Sequence, residues 1–289
     1  MKKIAVIQDL SGLGKCSLTA AIPVISAMGV QACPMPTAIL SNQTGYESYY
    51  LDDYTEHMDA YMAEWEKRGF VPDGIYTGFL GSVCQVEKIL KFLEHFCKEG
   101  TKVLVDPVMG DNGKVYKFYT GQLAEQMKKL CRRANVLTPN LTEALILLGG
   151  EEKMKSFWEQ ALTEEKQKQE VETIARRLKE IYACDGVIIT GINICGQEEK
   201  MANLVCTDEK VHWCEAKKYG GSYSGTGDLF ASVISAGMVK GDDLVRSVKR
   251  AVSFLEKSIR DAKEEGTDRN DGVCFETYLS ELWKEGAEV

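Results

Sequence analysis

Short apolar runs rich in β-branched residues alternate along the chain with longer segments of helical periodicity. The runs predict strands at about 3–8, 73–79, 102–105, 135–138 and 186–190, each followed by polar or glycine-rich residues. Between the second and third strands, apolar residues recur at steps of three and four, as in a helix that packs on a sheet. These residues are Val83, Val86, Ile89, Leu90, Leu93 and Phe96. The alternation predicts a mostly parallel central sheet with helices on both faces.

The remaining segments predict further elements of the same kind. Residues 16–28 favour a helix, and 201–206 and 210–216 favour an antiparallel pair of strands. Four apolar residues mark the stripe of a helix before the last parallel strand: Ile174, Leu178, Ile181 and Tyr182. Three helices are expected to close the chain, beginning at about Thr226, Asp242 and Asp271.

Two segments depart from the regular pattern. Residues 31–50 have strand character but contain Pro34, Pro36 and Gly45, so we expect a small lid or pocket wall there. Residues 151–170 are rich in Glu, Lys and Gln and predict a solvated helical insertion. Because 44% of the 289 residues are hydrophobic, the whole of 1–289 is expected to form a single domain with a sizeable core.

Charge and hydropathy narrow the range of partners. The 35 Lys and Arg residues and 43 Asp and Glu residues give a net charge of −8, which argues against nucleic acid and anionic lipid and favours small molecules. The longest apolar runs fall far short of the roughly 18 to 20 residues that a membrane helix needs. The N-terminal run 4–7 is too short for a signal peptide, so a cytoplasmic protein is expected. The ten cysteines include no C-x-x-C pair and predict reduced thiols that pack as small hydrophobes.

The most informative window is a glycine-rich stretch that enters a predicted helix. Residues 220–228 are G-G-S-Y-S-G-T-G-D, and the apolar Leu229 and Phe230 follow. Backbone N–H groups of such a loop can surround an anion, and the helix dipole adds positive potential. The window predicts a phosphate site in which Asp228, in the first helical turn, faces the anionic group. A second interpretation stays open, since Asp228 could simply cap its helix.

Two other phosphate-binding motifs fail when they are compared position by position. The P-loop pattern G-x-x-x-x-G-K-[ST] fails because Asp9 replaces its first glycine and Cys16 its hydroxyl residue. The dinucleotide fingerprint fails because Gly12 and Gly14 are followed by Ser17 where the third glycine belongs. A P-loop nucleotidase and a Rossmann oxidoreductase are therefore disfavoured.

Two further polar windows follow predicted strands. Asp106 lies in V-D-P-V-M-G-D, and Asn140 and Glu143 lie in T-P-N-L-T-E. Carboxylate and amide oxygens at adjacent strand ends suit a hydrated Mg²⁺ on a nucleotide, because Mg²⁺ takes hard oxygen ligands and keeps waters. Asn140 or Thr142 as a helix cap, with Glu143 serving the helix dipole, fits each window equally well. Three such windows at three strand ends together favour a shared site for phosphate and metal.

The three motifs together resemble those of the vitamin kinases of the ribokinase superfamily. D-P-V-M-G-D, T-P-N-x-x-E-A and G-T-G-D-L-F occur in this order, and the chain is most similar to the pyridoxal/pyridoxamine kinases, with hydroxymethylpyrimidine kinases as close relatives. The stretch 41–46, S-N-Q-T-G-Y, resembles the S-N-H-T-G-Y of the pyridoxal kinases. The resemblance covers about 3–255 and implies a ribokinase-like three-layer α/β/α sandwich with a mostly parallel sheet.

The resemblance also implies roles for individual residues. Asp228 matches the catalytic base, and the N–H groups of Gly225, Thr226 and Gly227 match an anion hole for the transferred phosphoryl group. Thr44 matches a substrate-pocket residue. Four positions match residues around the ATP phosphates and the metal: Asp106, Asn140, Glu143 and Thr190. Asp106 and Glu143 are expected to hold Mg²⁺. Phosphoryl transfer depends mostly on positioning and electrostatics, so one base, one anion hole and one metal form a sufficient set.

One stretch differs from the pyridoxal kinase pattern. Animal and enterobacterial pyridoxal kinases begin with Q-S-H-V, whose serine contacts the pyridine ring, whereas here D-L-S-G follows Gln8. This stretch resembles the D-x-S-G-x-G loop of hydroxymethylpyrimidine kinases. Asp9 and Ser11 are therefore the candidates for ring recognition. Three more residues are candidates for either the pocket wall or plain packing: Met35, Tyr46 and Tyr76.

The sequence thus predicts an enzyme that transfers the γ-phosphoryl group of ATP to the hydroxymethyl group of a B6 vitamer, namely pyridoxal, pyridoxamine or pyridoxine. The resemblance implies Mg²⁺, with a monovalent cation such as K⁺ as an optional addition, and a homodimer. Two alternatives stay open: a hydroxymethylpyrimidine kinase of thiamine biosynthesis, and a non-catalytic regulator that binds a nucleotide or a vitamer. Retention of Asp228 after an intact glycine loop argues against the regulator.

Overall fold

A computed structural model of the chain describes residues 1–284, with only the backbone described for the last of these. The strands are β1 (Lys3–Ser11), β2 (Gln31–Leu40), β3 (Leu51–Asp53), β4 (Gly74–Thr77), β5 (Lys102–Val105), β6 (Gly110–Asp111), β7 (Lys114–Val115), β8 (Val136–Leu137), β9 (Gly186–Asn193), β10 (Lys200–Thr207) and β11 (Val211–Lys217). The helices are α1 (Ser17–Ala27), α2 (Met58–Lys67), α3 (Val83–Phe96), α4 (Gly121–Cys131), α5 (Leu141–Trp158), α6 (Glu164–Tyr182), α7 (Thr226–Lys240), α8 (Leu244–Glu265) and α9 (Leu279–Lys284).

One sheet runs through the described residues in the strand order β11-β10-β9-β8-β5-β4-β1-β2-β3, and β6 pairs with β7 in a separate hairpin. Neighbouring strands from β2 to β9 are parallel. The two edges are antiparallel, with β10 and β11 following β9 on one side and β3 following β2 on the other. The carboxyl ends of the parallel strands therefore lie along one edge of the sheet, where ligands bind in open α/β folds.

Each face of the sheet carries its own hydrophobic core. Successive residues of a strand point to opposite faces, and in β1 the pair Ile4 and Val6 joins one core while Ala5 and Ile7 join the other. The first of these cores contains the apolar sides of α1, α7 and α8, and the second contains those of α3 to α6. This arrangement confirms the predicted three-layer sandwich with a mostly parallel sheet.

The apolar periodicities agree well with the helices that form. In α3, capped by the Ser82 side chain, the predicted stripe buries Val86, Ile89 and Leu93. In α6 the expected stripe is buried except for Ile181, which is 40% exposed. Ile181 is one residue from Tyr182, and two adjacent residues of a helix point about 100° apart, so one of the two faces solvent.

The first half of the segment 31–50, which was expected to form a lid or pocket wall, is a regular strand of the sheet. Residues 31–40 form β2, which pairs with β1 over most of its length, so a lid is limited to the loop 41–50. Pro34 and Pro36 fit because β3 pairs with β2 at 38–40, beyond both prolines. A proline on the unpaired side of an edge strand sacrifices no ladder hydrogen bond.

Two other expectations are corrected by the helices near the C-terminal half. The stretch 151–170 is helical and largely exposed, as expected, but it belongs to two longer helices: the second part of α5, after a break at Gly149 and Gly150, and the start of α6. Met154 and Phe157 bury against the core, which the abundance of charged residues around them concealed. The last helix begins at Leu279 rather than near Asp271, after an irregular stretch and a 3₁₀ turn.

The cysteines and the helices agree with the expectation of reduced thiols and of no membrane-spanning segment. All ten cysteines are free thiols, and five of them are buried. No helix among residues 1–284 is long and apolar enough to span a bilayer.

Candidate active site

The sequence-predicted site residues gather at the carboxyl edge of the parallel strands. Asp9 lies near the end of β1, Asp106 directly follows β5, and Asn140 follows β8. Thr190 of β9 pairs with Asn140 in an isolated parallel bridge. Asp228 reaches the same edge from the first turn of α7. The carboxylate of Asp228 interacts electrostatically with both Asp9 and Asp106. Topology therefore assembles residues that are up to 219 positions apart in the sequence.

The start of α7 is open to an anion. Gly225 is the N-cap residue with φ +79°, and it provides no capping side chain. A Cβ at Gly225 would lie 2.1 Å from the carbonyl oxygen of Lys15, so glycine is required by both conformation and space. At Gly227 a Cβ would meet no atom within 4 Å. The first-turn N–H groups of a helix have no intrahelical partner, so those of Thr226 and Gly227 are suited to bind phosphate here.

Asp228 does not cap its own helix. Its Oδ2 accepts a hydrogen bond of 2.9 Å from the backbone N–H of Ser17, the first residue of α1. Burial raises the pKa of Asp228 to about 7, and the nearby charge of Asp9 acts in the same direction. A carboxylate that titrates near neutrality, next to free helix amides, is suited to general base catalysis.

Asp9 lies deeper than the sequence suggested. Asp9 lies on β1, an interior strand of the sheet, where the pairing with β2 shifts register between Gln8 and Leu10 because β2 has one extra residue. Asp9 is 5% exposed, and its two oxygens accept hydrogen bonds from the hydroxyls of Ser17, at 2.6 Å, and Ser11, at 2.8 Å. Burial raises the pKa of Asp9 despite these bonds. Asp9 and Ser11 therefore bind the protein itself in this structure.

Asp106 and Glu143 are buried carboxylates on neighbouring elements. Asp106 is 8% exposed and accepts a hydrogen bond of 3.2 Å from the Thr138 hydroxyl. Burial raises its pKa to about 8, with a further contribution from Asp228. Burial and the charge of Asp106 raise the pKa of Glu143 well above its ordinary value. A divalent cation would offset both effects, because carboxylate oxygens are its preferred ligands and its charge stabilises their ionised forms.

In the window T-P-N-L-T-E, by contrast, Asn140 and Glu143 do cap a helix. The Asn140 side chain accepts a hydrogen bond from the N–H of Glu143, and the Glu143 side chain accepts one from the N–H of Asn140, which forms a capping box at the start of α5. The other Glu143 oxygen accepts from the N–H of Met109, and the Asn140 amide donates to the carbonyl of Gly110. Residues 1–284 hold no group of three or more metal-binding side chains, so a cation here would take further ligands from phosphate or water.

The residues expected on the substrate side are less closely grouped. Thr44 is exposed in the loop 41–50. Neighbours of Thr44 hold this loop against residues 268–272, since Gln43 donates to the Asn270 side chain at 3.0 Å and the Tyr46 hydroxyl donates to Asp271. Two of the possible pocket residues, Met35 and Tyr76, are fully buried in the core and serve packing.

Several residues at this edge were missed by the sequence argument. Ser17 and Lys15 both take left-handed backbone conformations, with φ +50° and +46°. Lys15 does not point to the phosphate site, because its ammonium group bonds Glu276 at 3.0 Å and lies 5.8 Å from the centre of the Phe275 ring. No local motif encodes these contacts, which join residues more than 200 positions apart.

The β6–β7 hairpin brings two further residues over the site. Burial raises the pKa of Asp111, and the Arg269 guanidinium opposes that effect. Burial, together with the charges of Glu143 and Asp111, raises the pKa of the Tyr116 hydroxyl. The Asn112-Gly113 turn of D-P-V-M-G-D-N-G was the available signal, because Asn-Gly between short extended segments predicts a hairpin.

The strand order, the open helix start and the buried carboxylates define a phosphotransferase of ribokinase-like α/β fold. A family model for phosphomethylpyrimidine kinases matches residues 14–272, and the chain belongs to that family. The pyridoxine/pyridoxal/pyridoxamine kinase of Bordetella avium is 26% identical over 249 residues, which cover 83% of this chain and 78% of that protein.

Two solved structures are similar over nearly the whole chain. A phosphomethylpyrimidine kinase-type protein of Bacteroides thetaiotaomicron, solved in a crystal form with pyridoxal, is 34% identical with a TM-score of 0.89, covering 97% of this chain and 95% of that one. The pyridoxal kinase of Lactobacillus plantarum is 26% identical with a TM-score of 0.84, covering 99% and 98%.

Proposed function

We propose that this protein is an ATP-dependent kinase that phosphorylates the hydroxymethyl group of a B6 vitamer, as in vitamin B6 salvage. The observation that carries the proposal is the half-buried carboxylate of Asp228, bonded to the Ser17 N–H beside the open N-terminal turn of α7, with a pKa raised to about 7. Similarity to pyridoxal kinases, and to a structure solved with pyridoxal, selects the acceptor.

The chemistry assigned to the chain's own residues is simple. Asp228 accepts the proton of the acceptor hydroxyl while the oxygen of that hydroxyl forms a bond to the γ-phosphorus of ATP. The bond from that phosphorus to the β,γ-bridging oxygen breaks, and ADP keeps the electron pair. The N–H groups of Gly225, Thr226 and Gly227 stabilise the charge on the transferred phosphoryl group. These donors are fixed before the reaction, so little reorganisation is needed in the transition state.

The carboxylates on the nucleotide side fit a divalent cation. Asp106 and Glu143 would hold Mg²⁺, partly through water, while Asn140 and Thr190 border the phosphates of ATP. Bound Mg²⁺ would neutralise the charge that develops between the β- and γ-phosphates. A monovalent cation such as K⁺ remains an optional addition. The proposal for Mg²⁺ is supported by the raised pKa values of two buried carboxylates with oxygen donors of the type that Mg²⁺ prefers.

A hydroxymethylpyrimidine kinase is the second candidate, favoured by the name of the matching family and by the D-L-S-G stretch after Gln8. Both acceptors carry a primary hydroxymethyl group on an aromatic nitrogen heterocycle, so the same base and anion hole would serve either. Discrimination must come from ring contacts, and Thr44 remains a proposed contact on that side.

The test is a set of initial rates with ATP, Mg²⁺ and one acceptor at a time. Pyridoxal, pyridoxamine and pyridoxine should each yield a phosphate ester identified by mass spectrometry. Faster phosphorylation of hydroxymethylpyrimidine than of every vitamer would select the second candidate. Binding of ATP and vitamer without any product would instead make the protein a regulator.

Two further expectations accompany the proposal. A homodimer should elute with twice the monomer mass in size-exclusion chromatography with light scattering, and elution at the monomer mass would reject it. A cytoplasmic location should place the protein in the supernatant of a cell fractionation rather than in the membrane pellet.

A further inference from the structure

The carboxylate of Asp228 is held by a residue from another element, and that residue is held in turn by a second buried carboxylate. Ser17 donates its backbone N–H to Oδ2 of Asp228 at 2.9 Å and its hydroxyl to Oδ1 of Asp9 at 2.6 Å. The Ser11 hydroxyl donates to the other Asp9 oxygen at 2.8 Å. These bonds join the end of β1, the start of α1 and the start of α7.

Ser17 keeps a backbone conformation that a residue with a side chain rarely adopts. Its φ is +50°, in the left-handed region that L-residues with a Cβ avoid. The preceding residues are fixed by close packing, because the space for a Cβ on Gly225 is filled by Lys15 and Cys16. The hydroxyl bond to Asp9 fixes the side chain of Ser17. The backbone N–H of Ser17 then points at Asp228 in α7.

We propose that Ser17 and Asp9 are positioning residues that orient Asp228, holding one carboxylate oxygen so that the other faces the acceptor hydroxyl. The inference rests on the proposed function, in which Asp228 is the base. Asp9 acts through Ser17 rather than by contact with the substrate ring, because both of its oxygens accept bonds from serine hydroxyls and little of its surface is exposed.

The arrangement also has a pH consequence. A donor to a carboxylate stabilises its ionised form, and the Ser17 N–H lowers the pKa of Asp228 against the effect of burial. Ser17→Ala keeps this backbone N–H but loses the hydroxyl bond that fixes its direction, so the bond to Asp228 should weaken and the pKa of Asp228 should rise. Since the base must be ionised to accept a proton, the acid limb of kcat should move to higher pH. The groups that interact with Asp228 from the surrounding elements are Asp9, Cys16, Tyr76, Asp106 and Tyr116.

The experiment compares four variants with the acceptor that the wild type uses fastest. Ser17→Ala and Asp9→Ala should each lower kcat by about 10- to 100-fold, the cost of a misplaced catalytic group, with both KM values within about twofold. The acid limb of Ser17→Ala should move to higher pH. Asp9→Asn is the conservative control, because its amide oxygen still accepts the Ser17 hydroxyl, and it should retain most of kcat. The double variant S17A/D9A should be no slower than the slower single variant, since both remove one constraint.

Three results would overturn the inference. One is wild-type kcat and an unmoved acid limb in Ser17→Ala, and another is an additive double variant. The third is a raised acceptor KM in Asp9→Ala with Ser17→Ala unaffected, which would show direct ring contact. If Ser17→Ala fails to fold, Ser17→Gly tests the same hydroxyl bond, because glycine adopts φ near +50° freely, and it too must lose rate. A wild type that phosphorylates no acceptor rejects the proposed function instead, so the two failures are distinguishable.

Discussion

Individual carboxylates at the sheet edge are far from their ordinary ionisation behaviour. Burial is the largest cause of the raised pKa at each of four residues: Asp9, Asp106, Glu143 and Asp228. Ionising them costs free energy in the unliganded protein, and a cation or a proton relieves that cost. Strongly perturbed carboxylates that converge on one edge are characteristic of a functional site.

Removal of the proposed base is the first prediction. Asp228→Asn should fold, because its amide oxygen can still accept the Ser17 N–H, but should lose roughly two to four orders of magnitude in turnover, the range for a general base. ATP affinity, measured by calorimetry, should change little. Asp243→Asn is the matched control, since Asp243 caps the start of α8 and Asn caps as well as Asp. Near-wild-type turnover of Asp228→Asn would remove Asp228 from the chemistry.

The sequence pointed to individual candidate residues but not to the residues that they contact. Asp228 followed from a local window, since a carboxylate after a glycine loop is visible in nine residues. Ser17 did not, because its partner Asp228 is 211 positions away and its left-handed backbone is produced by packing. Asp9 was expected to face the substrate, and the sequence did not show that both of its oxygens accept hydrogen bonds from serine hydroxyls within the protein.

Among the elements, α7 depends on two glycines that serve different purposes. Gly225 is confined by the carbonyl of Lys15, whereas the Cβ position of Gly227 is free of protein atoms. The first glycine is therefore structural and the second leaves room for a ligand.

The glycine pair gives the second prediction. Gly225→Ala should lose at least about 2 kcal/mol of unfolding free energy, from the positive φ and the clash together. Gly227→Ala should keep its melting temperature but raise the KM for ATP or lower kcat, because the new methyl group occupies the phosphate space. Denaturant unfolding and steady-state kinetics check both. Equal melting temperatures for the two variants would contradict the assignment.

Helix α5 carries the third prediction, because Glu143 caps this helix and is also proposed to hold Mg²⁺. Glu143→Gln keeps one oxygen acceptor but loses the charge, so the Mg²⁺ concentration for half-maximal rate should rise by roughly 10- to 100-fold, the usual cost of changing a group that supports a metal site. A lower melting temperature with an unchanged Mg²⁺ titration would leave Glu143 with the capping role alone.

The elements themselves were predicted well where periodicity is strong and poorly where packing decides. The stripe of α3 and the pair β10 and β11 were visible in the sequence. The continuity of β2 through two prolines was not, since it depends on the position of that strand near the sheet edge. The charged surface of α5 and α6 likewise concealed the buried Met154 and Phe157.

For the whole molecule, the raised pKa of the half-buried Asp228 makes the free energy of unfolding depend on pH. The pKa of Asp228 is raised from 3.8 to about 7 in the folded protein, so between these values the folded state binds more protons than the unfolded state. The free energy of unfolding therefore falls as pH rises through this window.

This coupling is the fourth prediction. Asn does not ionise, so Asp228→Asn should be more stable than the ligand-free wild type at pH 8, by about 1 to 3 kcal/mol, with little advantage at pH 4. Melting temperatures of wild type and Asp228→Asn across this range check it. An advantage that is independent of pH would mean that Asp228 is not buried in a charge-destabilising site.

The fold as a whole was accessible from sequence because alternating strands and helices admit few arrangements. The choice of acceptor was not, since the ring contacts depend on loops whose positions are set by distant residues such as Gln43 and Asn270.

The protein is proposed to transfer the γ-phosphoryl group of ATP to a B6 vitamer, with Asp228 as the base that accepts the proton of the vitamer hydroxyl. The most direct measurement is a competition in which pyridoxal, pyridoxamine, pyridoxine and hydroxymethylpyrimidine are present at equal concentrations with limiting ATP and Mg²⁺. The ratios of phosphate esters give the ratios of kcat/KM. We expect at least one vitamer to exceed hydroxymethylpyrimidine by about 10-fold or more, corresponding to roughly 1.4 kcal/mol, and Asp228→Asn to form almost no product. A preference for hydroxymethylpyrimidine, or undiminished product from Asp228→Asn, would contradict this proposal.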